Sequence, residues 1–217
     1  MPRIALIHAT RVAMAPVEAA FAILWPEADT VSILEEALSA DLAAGRVSRA
    51  ALDGRINALG DYALGLGPQA ILYTCSSFGA GIEQAAARLP LPVLKPNEAM
   101  FRAAVGQGRN IAMVATFRPA VITMEAEFEE YVAETGVDAK LTTVVAEDAM
   151  TALRAGDAET HNRLVAETAP ELQGFDTIML AHFSTSRALD ALSARTETPV
   201  LTAPGAAVSR LRDLLEG

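Results

Sequence analysis

Short apolar runs alternate along this chain with longer stretches whose apolar residues recur every three or four positions. A short continuous apolar run is typical of a parallel strand covered on both faces, and the longer spacing is typical of an amphipathic helix. Their regular alternation predicts an α/β fold with parallel sheets and helices on both faces. The predicted strands are Ile4–Ile7, Thr30–Leu34, the run from Ala70 to Cys75, Pro92–Leu94, Ile111–Ala115, Leu141–Val145, Thr177–Ala181 and Pro199–Leu201.

Capping residues and prolines predict where several helices begin and end. Ser48 is a favourable N-cap for a helix that reaches about Leu66, and Asp157 caps one that reaches about Leu172. Pro119 suits the first turn of a helix that ends before Gly136. The other predicted helices are Pro16–Leu24, the stretch after Cys75 as far as Leu89, the stretch from Asn97 to Gly106, Asp148–Arg154, Ser184–Ala194 and a final helix from Pro204.

The second half of the chain repeats the first at a nearly constant offset in residue number (182 − 75 = 107). At this offset Ala70–Cys75 matches Thr177–His182, and Ile4–Ile7 matches Ile111–Val114. Two further matches keep the same order: Pro92–Leu94 with Pro199–Leu201, and, at an offset of 112, Glu35–Leu38 with Glu147–Met150. We therefore expect two copies of one α/β unit, a first lobe of residues 1–100 completed by 203–217 and a second of residues 101–202.

Composition and charge narrow the classes of function. The 217 residues carry a formal net charge of −10, which disfavours binding to nucleic acid or to an anionic membrane surface. A single cysteine excludes an internal disulfide framework and is typical of a reducing cytoplasm. The apolar run near the N-terminus is too short for a signal peptide, and no run has the length of a membrane span. The sequence therefore predicts a soluble, cytoplasmic protein.

The only cysteine, Cys75, lies where a predicted strand gives way to a helix. Such a position brings a thiol close to backbone N–H groups at a helix N-terminus, which lowers a thiol pKa and favours anions. The alternative is a buried cysteine that acts as a small apolar residue. The repeat favours the functional interpretation, because it puts His182 at the equivalent position, although a histidine buried in the core remains the alternative there.

Other polar residues also follow predicted strands, and ligands of parallel α/β sheets bind at the carboxyl ends of the strands. His8 ends the first strand and could equally be a loop donor, whereas His161 is expected to face solvent. Arg118 could bind a carboxylate through two hydrogen bonds or could simply face solvent. Three histidines and one cysteine without close spacing do not predict a metal site.

Four segments resemble a known family: Thr74–Ser77, Leu180–Ser184, Leu94–Ala99 and the loop at Thr116. Through them the whole chain resembles the aspartate/glutamate racemase superfamily, whose cofactor-independent members include hydantoin and allantoin racemases, maleate isomerase and arylmalonate decarboxylase. The resemblance implies two flavodoxin-like lobes with the active site in a cleft between them. In the racemases each lobe provides one cysteine, and here His182 stands in place of the second.

The resemblance implies a racemase or epimerase that moves a proton at the carbon alpha to a carboxylate, with Cys75 and His182 as the catalytic pair and no cofactor or metal. The alternatives are a decarboxylase or cis–trans isomerase that uses Cys75 alone, and a binding protein that holds a small acid without turnover. The expected partner is a small anionic substrate such as an amino acid, a hydantoin or a dicarboxylate. The oligomeric state stays open, although family members are often dimers or larger. The predicted substrate-facing residues are His8, Thr10, Thr74, Ser76, Ser77, Asn97, Thr116, Phe117, Arg118, Phe183 and Ser184.

Overall fold

Residues 1–217 are described by a computed structural model, in which the chain forms two compact units. The first contains residues 1–99 and 207–217, and the second contains residues 100–206. Each unit holds one four-stranded sheet in which all neighbouring strands are parallel. The predicted α/β class with two lobes of parallel strands is confirmed.

The sheet of the first unit has the strand order β2-β1-β3-β4. Its strands are β1 (Arg3–His8), β2 (Asp29–Leu34), β3 (Ala70–Tyr73) and β4 (Val93–Leu94). The helices are α1 (Met14–Leu24), α2 (Ala37–Ala44), α3 (Arg49–Leu64), α4 (Gly79–Arg88) and α5 (Glu98–Gln107), the last of which continues into the second unit.

The second sheet has the equivalent order, β6-β5-β7-β8. Its strands are β5 (Asn110–Ala115), β6 (Lys140–Val145), β7 (Thr177–Leu180) and β8 (Val200–Thr202). The helices are α6 (Arg118–Thr135), α7 (Ala149–Arg154), α8 (Ala158–Ala166), α9 (His182–Thr185), α10 (Leu189–Ser193) and α11 (Ala203–Glu216), the last of which ends in the first unit.

Strand register agrees with the repeat seen in the sequence. Ile4 pairs with Ala70, and Ile111 pairs with Thr177, so both strands recur at the same offset (111 − 4 = 107; 177 − 70 = 107). The second strands recur at a larger offset, because Ile4 also pairs with Thr30 and Ile111 with Leu141 (141 − 30 = 111). The offset of 112 predicted for Glu35–Leu38 holds for the helices that follow these strands, since α2 begins at Ala37 and α7 at Ala149 (149 − 37 = 112). The connection between the first two strands is longer in the second unit by the difference between the two offsets (111 − 107 = 4).

Several helix ends follow from the predicted caps. The Ser48 hydroxyl accepts a hydrogen bond from the Ala51 amide at 3.3 Å, and Asp157 accepts one from the Thr160 amide at 2.9 Å. Each bond satisfies an amide that the first turn of a helix leaves without an internal partner. Helix α6 ends at Thr135 and is followed by Gly136, whose φ of 67° is the left-handed conformation that favours glycine.

Two predicted helices are shorter than expected. The helix capped by Asp157 stops at Ala166 and is followed by a 3₁₀ turn at Ala169–Leu172, because Pro170 cannot continue the hydrogen-bond ladder and its ring would meet the Ala166 carbonyl. The predicted helix Ser184–Ala194 is instead α9, a 3₁₀ turn and α10. Here the Ser186 hydroxyl donates to the Phe183 carbonyl at 2.7 Å, a local bond that competes with a regular helix.

Each unit has its own apolar core between its sheet and its helices. In the first, Tyr73 is buried and its hydroxyl donates to the Ile56 carbonyl at 2.9 Å. Trp25, also completely buried, donates through Nε1 to the Glu216 carboxylate at 2.9 Å, which ties α11 to the end of α1. No helix combines the length and the apolar character needed to cross a membrane.

Candidate active site

The two units have the same backbone arrangement where their central strands end. In the first, the Thr74 amide donates to the Ile7 carbonyl at 3.0 Å, and in the second the Ala181 amide donates to the Val114 carbonyl at 2.9 Å. Cys75 and His182 are the next residues in the chain. The catalytic pair predicted from the sequence therefore occupies equivalent positions at the carboxyl ends of β3 and β7.

Cys75 is half-buried and has an extended backbone, with φ at −130° and ψ at 118°. The expected direct entry into a helix is replaced by a 3₁₀ turn at Ser76–Phe78, and α4 begins only at Gly79. Ser76 is half-buried and Ser77 is exposed, and the Ser77 carbonyl accepts from the Arg49 guanidinium at 2.6 Å. A contact between Arg49 and this turn was not foreseen in the sequence.

His182 has an unusual backbone and an uncommitted ring nitrogen. Its φ of 68° lies in the left-handed region, which only one other non-glycine residue of the chain, Asp148, adopts. Such a conformation costs free energy, and residues that adopt it cluster at active sites and ligand-binding sites. Nδ1 is buried and has no hydrogen-bond partner. Burial lowers the pKa of His182, and the Ala181 carbonyl opposes this in part. The ring is therefore neutral near neutral pH.

His8, at the end of β1, is completely buried and both of its ring nitrogens have partners. Nδ1 lies 2.9 Å from the Thr74 hydroxyl oxygen, and Nε2 lies 3.3 Å from the Ser32 hydroxyl oxygen. Burial lowers the pKa of His8 to about 4. Ser32 was not singled out in the sequence, although a strand order that puts β2 beside β1 would have suggested it. His8 and Thr74 thus form a polar chain next to Cys75.

The remaining predicted residues differ in exposure. Thr116 is buried, and its hydroxyl lies 3.3 Å from that of Thr185, a second residue that the sequence did not indicate. Phe117 is half-buried below the Arg154 guanidinium, whose carbon lies 5.1 Å from the ring centre. Thr10 is half-buried, whereas Asn97, Phe183 and Ser184 are buried.

Arg118 forms an ion pair with Glu147, and its Nε donates to the carboxylate at 2.8 Å. Both side chains are exposed. The first unit repeats the pair with Arg11 and Glu36, whose two hydrogen bonds are 3.0 and 2.7 Å long. The offsets are those of the strands (118 − 11 = 107; 147 − 36 = 111). In each unit the pair links the loops that follow the first two strands.

His161 lies inside the second unit, so the expectation that it faces solvent is wrong. It is completely buried, its Nδ1 lies 2.9 Å from the Asn162 side-chain oxygen, and its Nε2 has no partner. Helix α8 carries its charged residues on one side and turns His161 inward with Val165 four positions later, a spacing that could have indicated burial. No three His, Cys, Asp or Glu side chains lie together in a way that could hold a metal ion.

A family model described as "Asp/Glu/Hydantoin racemase" matches residues 31–181, which include Cys75 and all of β7. The matched segment is more than half of the chain. The chain belongs to the Asp/Glu/hydantoin racemase family. This confirms the resemblance inferred from the strand-end motifs.

Solved structures with the same fold include members named as racemases. An allantoin racemase from Klebsiella pneumoniae is 16% identical with a TM-score of 0.77, and the match covers 100% of this chain and 88% of that one. A glutamate racemase isoform from Bacillus anthracis is 15% identical with a TM-score of 0.73 (99% and 82% covered), and an aspartate racemase from Picrophilus torridus is 12% identical with a TM-score of 0.73 (99% and 94% covered). A comparison with curated protein sequences gives no match. At these identities the three structures support the fold of this family and leave the substrate open.

Proposed function

We propose that this member of the racemase family is a cofactor-independent racemase or epimerase for a small amino acid or a derivative of one. Cys75 and His182 exchange protons with the carbon alpha to the substrate carboxylate. The observation that carries the proposal is their equivalence: each follows the last backbone bond between the two central strands of its unit. A reaction that inverts a stereocentre needs one proton-active group for each face of the carbon.

The ring of His182 supports an acid–base role. A buried histidine with an unpartnered Nδ1 contributes little to folding, since a buried polar atom without a hydrogen bond is unfavourable. Its left-handed backbone adds a further cost. Costs of this kind are retained at sites where a reactive group must be held ready.

The same two groups, His182 and Cys75, can convert either enantiomer into the other. With His182 neutral and Cys75 as a thiol, the ring nitrogen removes the alpha proton while the thiol delivers its proton to the opposite face. The products are an imidazolium ion and a thiolate, and the reverse step regenerates the first pair from the other enantiomer. The intermediate carbanion is stabilised by hydrogen-bond donors near the substrate carboxylate, for which Thr10, Ser76 and Thr116 are the proposed sources.

Proton NMR in deuterium oxide tests this mechanism directly. We expect the wild-type protein to exchange the alpha hydrogen and racemise at least one compound from a panel of amino acids, hydantoins, malonates and maleate. Cys75→Ala and His182→Asn should each lower racemisation by at least about 100-fold. Asparagine is chosen because it tolerates the left-handed backbone at this position.

The two variants also have opposite expected stereochemistry. Each keeps one base, so each should still exchange the alpha hydrogen of one enantiomer, and the two variants should select different enantiomers. Loss of carbon dioxide or double-bond isomerisation that needs Cys75 alone would replace the two-base mechanism with the one-cysteine alternative. Tight binding without any exchange would leave a binding protein and would refute the proposed catalysis.

A further inference from the structure

The repeat provides an internal comparison for the polar chain next to Cys75. His8 and Thr74 of the first unit correspond to Ala115 and Ala181 of the second, at the common offset (115 − 8 = 107; 181 − 74 = 107). All four residues are buried. The backbone bonds around them are the same in both units: besides the Thr74 and Ala181 bonds, the His8 and Ala115 carbonyls accept from the loop after the second strand at 3.0 and 2.8 Å.

The second unit shows which residues this end of the sheet needs in order to fold. The second unit builds the same sheet end with two alanines, so the fold does not require a histidine and a threonine there. Replacing a buried hydrogen-bonded pair with apolar residues is often nearly neutral for stability, because the pair gains little beyond the cost of its desolvation. The polar pair occurs only in the unit that carries the thiol. A role in stability alone therefore gives no reason for it.

One assignment of donors and acceptors accounts for all the hydrogen bonds of His8 and Thr74 described above, and in it the imidazole ring is uncharged. The Thr74 hydroxyl donates to the Ile7 carbonyl at 3.4 Å and accepts from Nδ1–H of His8, while Nε2 accepts from the Ser32 hydroxyl. His8 thereby fixes the orientation of the Thr74 hydroxyl, and Thr74 is the residue immediately before Cys75 in the chain. These hydrogen bonds link three neighbouring strands, β2, β1 and β3, immediately before Cys75.

We infer that His8 is a positioning residue for Cys75, which it orients by holding the side chain of Thr74. It does not touch the substrate, and it stays neutral while the enzyme works. The inference deepens the proposed function and rests on it, because it assumes that the thiol of Cys75 is the reactive group.

The experiment is the rate at which iodoacetamide alkylates Cys75, the only thiol in the chain, measured by mass spectrometry across a range of pH. We expect His8→Ala and Thr74→Ala each to slow alkylation by about tenfold, as a displaced reactive group would. The double variant should be no slower than either single one, since both remove the same contact. His8→Asn should restore the rate, because its amide can donate to Thr74 from the place of Nδ1.

His161→Asn is the matched control, because it removes another completely buried histidine from the unit without the thiol. It should leave the alkylation rate unchanged. A wild-type rate in Thr74→Ala would overturn the inference, even if His8→Ala failed to fold. So would a slow His8→Asn whose pH profile has shifted, since this would make His8 a titrating group. If the wild-type thiol itself reacts no faster than a small model thiol, the proposed function fails first.

Discussion

All three histidines of this chain have a lowered pKa for one physical reason, the burial of the imidazole ring. In each case burial disfavours the charged form, and at His161 and His182 a hydrogen bond that raises the pKa has a smaller effect. At His8 burial lowers the pKa to about 4. The protein therefore carries its histidines as neutral rings at neutral pH, and acid must affect its stability through them.

We expect the free energy of unfolding to fall as the pH drops below the unfolded pKa of histidine. The unfolded chain binds a proton at His8 near pH 6.5, whereas the folded chain does so only near pH 4, so the stabilising effect is complete above this window and is lost within it. Between about pH 7 and about pH 5 the fall should be about 2 kcal/mol smaller in His8→Asn than in the wild type. Urea unfolding at both pH values measures the difference, and an equal fall in both proteins would contradict it.

Arg118 is the predicted substrate ligand that the repeat can test most cleanly. An exposed ion pair contributes at most about 1 kcal/mol, so Arg118 can leave Glu147 for a substrate carboxylate at little cost. We expect Arg118→Ala to raise KM by about tenfold with a smaller effect on kcat, the result expected when a charged hydrogen bond to the substrate is lost. Arg11→Ala removes the equivalent pair from the other unit and is the matched control. Equal KM values in the two variants would leave Arg118 as a surface residue.

At the scale of elements, Gly60 shows how closely α3 lies against its sheet. A Cβ atom at this position would lie 2.8 Å from the Tyr73 hydroxyl and 3.1 Å from a methyl group of Leu89. The first distance is too short for any real contact, and the hydroxyl is held in place by its bond to Ile56.

We expect Gly60→Ala to destabilise the protein by about 1–3 kcal/mol, the usual result of overpacking. In a Tyr73→Phe background the same change should cost clearly less, because the clashing oxygen is gone. Gly54→Ala is the control: it lies in the same helix with no atom within 4 Å of the new methyl group, and should stabilise by up to about 1 kcal/mol. The differences are measured by thermal or urea unfolding of the wild type, the three single variants and the Gly60→Ala/Tyr73→Phe double variant. Equal costs of Gly60→Ala in both backgrounds would refute the clash.

The elements predicted correctly from sequence are those with a strong local signal. The buried strands are continuous apolar runs, and Ser48 and Gly136 mark helix ends through their own side chain or conformation. The broken region after His182 has no such signal, because the Ser186 hydroxyl and the backbone compete for the same carbonyl. The same limit applies to the site: strand ends could be found from periodicity, but the partner of His8 on β2 depends on which strands are neighbours.

At the scale of the whole molecule, the chain is one unit used twice, with Cys75 in the first unit at the position that His182 occupies in the second. The common offset relates the two central strands of each sheet, and the extra length of the second unit lies in the connection between β5 and β6. Differences between the units at equivalent strand ends are therefore informative, since both units build the same sheet arrangement there. The exchange of Cys75 for His182, and of His8 and Thr74 for two alanines, are differences of this kind.

The hydrogen bond between Trp25 and Glu216 has a practical consequence for following this protein in solution. Trp25 is the only tryptophan, and it lies in the first unit against the end of the last helix. Its emission is a spectroscopic label for that unit, whereas circular dichroism averages over both. Coincident transitions by the two signals would mean that the units unfold together, and separate ones that each unit melts by itself. The protein thus contains its own reporter for how far its two halves depend on each other.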